Sequence, residues 1–86
     1  MSSANPTITI YGAYWCPDCR RAKQFLGEHQ IAYTWVDIEQ DPAAAAFVEG
    51  VNGGNQTVPT LLYSDGSAET NPSIGQVKAK LEALSA

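Results

Sequence analysis

Two side chains in this sequence carry a chemistry that the others cannot supply. Cys16 and Cys19 are its only cysteines, separated by two residues in Trp15-Cys16-Pro17-Asp18-Cys19. A thiolate attacks a disulfide sulfur and a second nearby thiol can displace the product, so a close pair suits disulfide exchange. A free thiol, with a pKa of about 8.5, is only slightly ionised at neutral pH, and such a site therefore needs surroundings that favour the thiolate. Other uses of the pair are poorly supplied. Zinc takes about four ligands, and beyond the cysteines the chain offers the distant His29. An iron-sulfur cluster shared between two chains would need external thiols, and the cysteine-rich spacings usual for clusters are absent. An inert disulfide at this spacing would close too small a loop to stabilise the fold much.

The elements around the pair provide what exchange needs. Thr7-Ile8-Thr9-Ile10-Tyr11 is β-branched and aromatic and ends at Gly12, which predicts a strand followed by a turn. Pro17 suits the first turn of a helix, and Ala22, Phe25 and Leu26 then recur at the spacing of a buried helical face. Cys16 is thereby expected at a helix N-terminus, where unpaired backbone N–H groups and the positive end of the helix dipole favour a thiolate. Cys19, one turn further in, takes the more buried position of a resolving thiol. Arg20, Arg21 and Lys23 add thiolate-stabilising positive charge, Asp18 opposes it, and Pro17 fixes the backbone of the turn.

Downstream, Tyr33 to Ile38 predicts a second strand, and Asp41-Pro42 caps a second helix over Ala43 to Val51. Asn52 to Gln56 is a loop, and its Gly53-Gly54 lacks the lysine of a phosphate-binding turn. Val58 to Tyr63 and Ala68 to Thr70 flank a turn and predict a β-hairpin. Asn71-Pro72-Ser73 opens a last helix in which Ile74, Val77, Leu81 and Leu84 share a face, with Asn71 and Ser73 read as caps or as polar contacts. The order is βαβαββα. Strands joined through a helix lie parallel and the hairpin is antiparallel, which gives an α/β fold with a four-stranded mixed sheet and three helices on its two faces.

Length and composition agree with one domain over residues 7–86, preceded by a flexible tail at 1–6. The chain has 86 residues, 44% hydrophobic and 16% charged, the balance of a packed globule. Its net charge of −4 argues against nucleic acid as a partner. No basic-then-apolar leader and no run of about 20 apolar residues is visible, so a membrane is excluded as a partner and a cytoplasmic monomer is the expectation. Trp15 is amphipathic enough either to contact substrate or to pack on its loop. Trp35, Tyr33 and Phe47 are read as core and His29 as a surface residue.

Trp15-Cys16-Pro17-Asp18-Cys19 after a first strand, with Thr57-Val58-Pro59 before a hairpin, resembles the glutaredoxin family over nearly the whole chain. Val51 to Thr60 and Thr70-Asn71-Pro72-Ser73 are similar to the corresponding segments of its actinobacterial members, the mycoredoxins. The resemblance implies the thioredoxin fold, with Cys16 as nucleophile, Cys19 as resolving cysteine, and Pro59 as a cis-proline that presents the Val58 backbone to a bound thiol compound. It further implies reduction of mixed disulfides between proteins and a low-molecular-weight thiol, with no bound cofactor and no metal. Such a thiol would be regenerated by an NADPH-dependent reductase. Ala13 stands where many glutaredoxins have lysine, and Asn71-Pro72-Ser73 replaces their Gly-Gly-x-x-Asp turn, which points to mycothiol in place of glutathione. Asp18, where tyrosine is common, is shared with some thioredoxin-related proteins. The alternative is a protein disulfide reductase supplied by thioredoxin reductase, of the kind that donates electrons to ribonucleotide reductase. The residues implied to meet substrate are Trp15, Pro17, Asp18, Thr57, Val58, Pro59, Asn71, Pro72 and Ser73.

Overall fold

The computed structural model describes residues 8–85. The proposed tail at 1–6 and the first residue of the expected first strand, Thr7, lie outside them. The elements follow the expected order: β1 (Ile8–Gly12), α1 (Pro17–Glu28), β2 (Tyr33–Asp37), α2 (Pro42–Val51), β3 (Thr60–Tyr63), β4 (Ala68–Thr70) and α3 (Ile74–Ser85).

The strands form one sheet in the order β2-β1-β3-β4. β1 runs parallel to β2 with Gly12 opposite Asp37, and antiparallel to β3 with Tyr11 opposite Thr60. Both strand ends that carry the site therefore meet at one end of the sheet.

Alternation along β1 sends its side chains to two cores. Ile8 and Ile10, fully buried, pack with Ala22 and Leu26 of α1, Leu61 and Tyr63 of β3, and Val77 and Leu81 of α3. Tyr11 faces the other way, toward the cluster of Ile38, Ala44 and Val48 that seats α2. Each leucine or isoleucine so buried contributes roughly 1.5–3 kcal/mol. α1 and α3 thus share one face of the sheet, and α2 covers the opposite one.

Boundaries differ from expectation where a particular residue decides them. The hairpin's first strand begins at Thr60, two residues after Val58, because Pro59 has no N–H to donate to a ladder. Ile38 leaves β2, its N–H bonded to the Gly12 carbonyl at 3.0 Å and its side chain buried under α2. Asp41 caps α2 as expected, its carboxylate accepting from the N–H groups of Ala43 and Ala44. At α3, Ser73 Oγ accepts from Gln76 N–H at 3.1 Å while Gln76 Oε1 accepts from Ser73 N–H at 2.8 Å, a reciprocal cap. Phe47 is not core: it is 36% exposed on α2, its ring 4.9 Å from that of Tyr11.

Candidate active site

Cys16 is the residue from which α1 starts. Its extended backbone (φ −83°, ψ 114°) turns the chain into the helix, and Pro17 takes the first helical position. Its N–H bonds to the Ala13 carbonyl at 3.1 Å, closing the turn out of β1. Cys16 Sγ accepts the Cys19 N–H at 3.2 Å, so the sulfur acts as the helix cap in the place where a serine or aspartate oxygen would stand.

Cys19 is enclosed. It is 1% exposed, and burial, with the neighbouring Cys16 sulfur adding to it, pushes its thiol up to about 12. Its cover comes from Gly12 and Trp35. A Cβ on Gly12 would stand 2.6 Å from Cys19 Sγ and 2.8 Å from Trp35 Cη2, so a side chain larger than hydrogen does not fit there. Lys23 lies over the Trp35 ring at 3.9 Å, and its charge acts against the rise at Cys19.

The charges expected around Cys16 are partly paired. Arg21 holds the Asp18 carboxylate at 2.8 Å, which sets the opposing acid and one of the stabilising cations against each other. Arg20 is exposed, and no ion pair engages it among the described residues. Trp15 is 56% exposed and donates its indole N–H to Glu39 at 2.9 Å, so it forms a rim of the site and is not packed under the loop.

The second wall is the segment before β3. The Val58–Pro59 peptide is cis, as the resemblance implied, and the Val58 carbonyl oxygen lies 3.9 Å from Cys16 Sγ. Pro59 is buried, its carbonyl accepting from the Asn71 N–H at 2.7 Å. Thr57 takes part through its backbone, its carbonyl accepting from the Thr60 hydroxyl at 2.9 Å. Asn52, read from sequence only as loop, ties this wall together. Its amide donates to the Val48 carbonyl at 2.9 Å and to Thr60 Oγ1 at 3.2 Å, and its carbonyl accepts from the Thr70 hydroxyl.

Asn71, Pro72 and Ser73 make no hydrogen bond to Cys16. Together with Asp18 and Arg21 of α1 and Gln76 of α3 they line a groove of about 380 Å³ that meets the cysteine motif at Asp18. Gln76 was not anticipated there; its only sequence signal is the position three after Ser73. The Ser73 hydroxyl already serves the α3 cap. Among the described residues no group of three or more histidine, cysteine or acidic side chains is placed to hold a metal ion.

Comparison with known proteins then decides the family. The sequence model of glutaredoxins matches residues 8–67. The chain belongs to the glutaredoxin family. A Mycobacterium tuberculosis protein named "Putative glutaredoxin Rv3198A" is 57% identical over 74 residues, covering 86% of this chain and 88% of that one. Mycoredoxin 1 of Corynebacterium glutamicum is 46% identical over 77 residues, covering 90% and 95%. Among solved structures, the thioredoxin-like protein BC3987 superposes with a TM-score of 0.67 at 28% identity, covering 90% of this chain and 97% of that one. The glutaredoxin of Archaeoglobus fulgidus superposes at 0.72, covering 87% and 84%, and at 21% identity shows the thioredoxin fold alone.

This glutaredoxin is a thiol-disulfide oxidoreductase with Cys16 and Cys19 as its C-x-x-C pair. The family match spans both walls of the site but stops at Ser67, before the groove residues Asn71 to Gln76.

Proposed function

We propose that this protein reduces mixed disulfides between proteins and a low-molecular-weight thiol, with mycothiol preferred over glutathione, and does so as a cytoplasmic monomer without a bound cofactor. The observation that carries the reading is the asymmetry of the pair: Cys16 Sγ caps the helix beside the Val58 backbone, while the Cys19 thiol is buried and pushed up to about 12. The Cys16 thiolate attacks the sulfur of the small thiol in the mixed disulfide. A new S–S bond forms on Cys16, and the protein cysteine leaves as a thiolate and takes up a proton. A second small-thiol molecule, as its thiolate, then attacks the sulfur held on Cys16, which leaves as the thiolate while the small-thiol disulfide departs to its NADPH-dependent reductase. Alternatively Cys19, as the resolving cysteine, attacks the Cys16 sulfur, forming the Cys16–Cys19 disulfide and releasing the small thiol as its thiolate.

Three features support mycothiol. Mycoredoxin 1 is similar over 90% of this chain. Ala13, at the position of the lysine common in glutaredoxins, is buried against the two cysteines and offers no cation to a glutathione carboxylate. The groove that meets the motif at Asp18 is also lined by Arg21 and Asn71, polar groups suited to a hydroxyl-rich thiol, beside the apolar Ala22, Pro72 and Ile74.

A second reading is favoured by one relative. The glutaredoxin-like protein NrdH of Lactococcus lactis is 32% identical over 59 residues, covering 67% of this chain and 78% of that one. On this reading the protein reduces protein disulfides directly and receives electrons from thioredoxin reductase. Mass spectrometry of reduced Cys19→Ser protein, mixed with peptides carrying mycothiol or glutathione in disulfide linkage, separates the two. Faster transfer of mycothiol than of glutathione to Cys16 is the expected result. Capture of the peptide on Cys16, with neither small thiol transferred, would replace the first reading by the second.

A further inference from the structure

The cationic side chains are confined to one face of the sheet. All five lysines and arginines, Arg20, Arg21, Lys23, Lys78 and Lys80, lie on α1 and α3. The opposite side, from the end of β2 through α2, carries Asp37, Glu39, Asp41 and Glu49 and no cationic side chain. The ion pairs of the described residues are Arg21–Asp18 and Lys80–Asp65, so the carboxylates on the α2 side are uncompensated.

That side borders the nucleophile at both ends of α2. Before the helix, the Ile38 N–H bonds to the Gly12 carbonyl and Glu39 accepts from Trp15, which places the β2–α2 connection against the loop that carries Cys16. After the helix, Glu49 accepts from Gln56 at 2.6 Å in the segment that leads into Val58. Next to Glu39, on the loop that carries Cys16, the surface is apolar and open: Tyr14 is 74% and Trp15 56% exposed. Cys16 itself is only 4% exposed, so a disulfide must pass over this rim to meet its sulfur. Exposed aromatic side chains inside a polar rim have the composition of a protein-binding surface, and a rim of one sign selects a partner of the other.

We propose that protein partners dock across Tyr14 and Trp15 on the α2 side of Cys16, and that Glu39, Asp41 and Glu49 select disulfides set among lysine and arginine side chains. The inference rests on the disulfide-exchange reading above and adds the chemistry of the protein partner. It is independent of which small thiol is used.

The test uses the full reduced chain and two peptides of equal length, each with one cysteine linked to 2-mercaptoethanol. One has lysines on both sides of the cysteine and the other glutamates. At low ionic strength the lysine peptide is expected to react about tenfold faster, with the ratio falling toward one near 1 M salt, where the Debye length is about 3 Å. Glu39→Gln with Glu49→Gln keeps both hydrogen-bond acceptors and is expected to cut the ratio by about threefold or more. Glu28→Gln with Glu82→Gln changes the net charge equally on the α1 and α3 side, and leaves the ratio as it was. Equal rates for the two peptides, or a ratio that follows net charge in both double variants, would overturn the proposal while leaving disulfide exchange intact. Failure of both peptides and of bis(2-hydroxyethyl) disulfide to react would overturn the exchange reading, and this inference with it.

Discussion

At the scale of single residues, the two sulfurs differ by position alone. Cys16 receives an N–H from the helix it starts, and Cys19, one turn on, is closed in by Gly12 and Trp35. Replacing Cys16 by serine is expected to abolish exchange, while Cys19→Ser keeps turnover of small-thiol mixed disulfides; equal losses in a steady-state assay would contradict the division of labour. The seal over Cys19 makes a second demand. Gly12→Ala would put a methyl group within 3 Å of Cys19 Sγ and Trp35 Cη2, and overpacking of this kind costs about 1–3 kcal/mol. A lower urea midpoint and slower exchange are expected together, and an unchanged midpoint would show that Trp35 moves aside freely. The placement of the two cysteines at the start of α1 was legible in the sequence because a proline after the first cysteine and an apolar helical face fix that start locally. The role of Gly12 was not, because it depends on an indole brought over from β2.

At the scale of elements, the wall that faces Cys16 is held from outside the motif. Val58 and Pro59 belong to no strand, and the wall they form is tied to α2 by Asn52 and to the start of α3 by the Pro59 carbonyl and the Asn71 N–H. Asn52→Ala removes bonds to Val48, Thr60 and Thr70, each contributing about 0.5–1.5 kcal/mol. A loss of roughly 1–3 kcal/mol in chemical denaturation is expected, accompanied by a larger fall in kcat/KM for disulfides than for simple alkylation of Cys16. Equal changes in both rates would mean that Asn52 stabilises the fold without positioning Val58. Every helix and strand was legible, since each has its cap, turn or period in adjacent residues. The exposure of Phe47 and the function of Asn52 were not. Each is set by contacts between α2 and the sheet, and composition along one segment carries no record of them.

At the scale of the whole molecule, three titrations bracket the pH range in which the fold is most stable. Asp65 is held below the usual carboxylate range by hydrogen bonds from Ser67 and Lys80, so its contribution is present above its unfolded value, near 3.8, and is lost as pH falls. On the alkaline side the sign reverses. The folded chain keeps the Cys19 proton up to about 12, against an ordinary value of 9.0, and between those limits the unfolded chain binds fewer protons. Stability must therefore fall as pH rises through that window. Tyr63 acts in the same direction: burial and its hydrogen bond to Glu69 raise its phenol above the ordinary 10.0. The expected profile of urea midpoints for the reduced protein is a plateau from about pH 4 to pH 9 with an alkaline decline. Cys19→Ser removes the part of that decline that begins near 9, and Tyr63→Phe the part that begins near 10. A decline of undiminished slope in the double variant would place the alkaline sensitivity elsewhere. The corresponding decline should be weaker in the oxidised protein as well, because a disulfide between Cys16 and Cys19 leaves no thiol there to titrate.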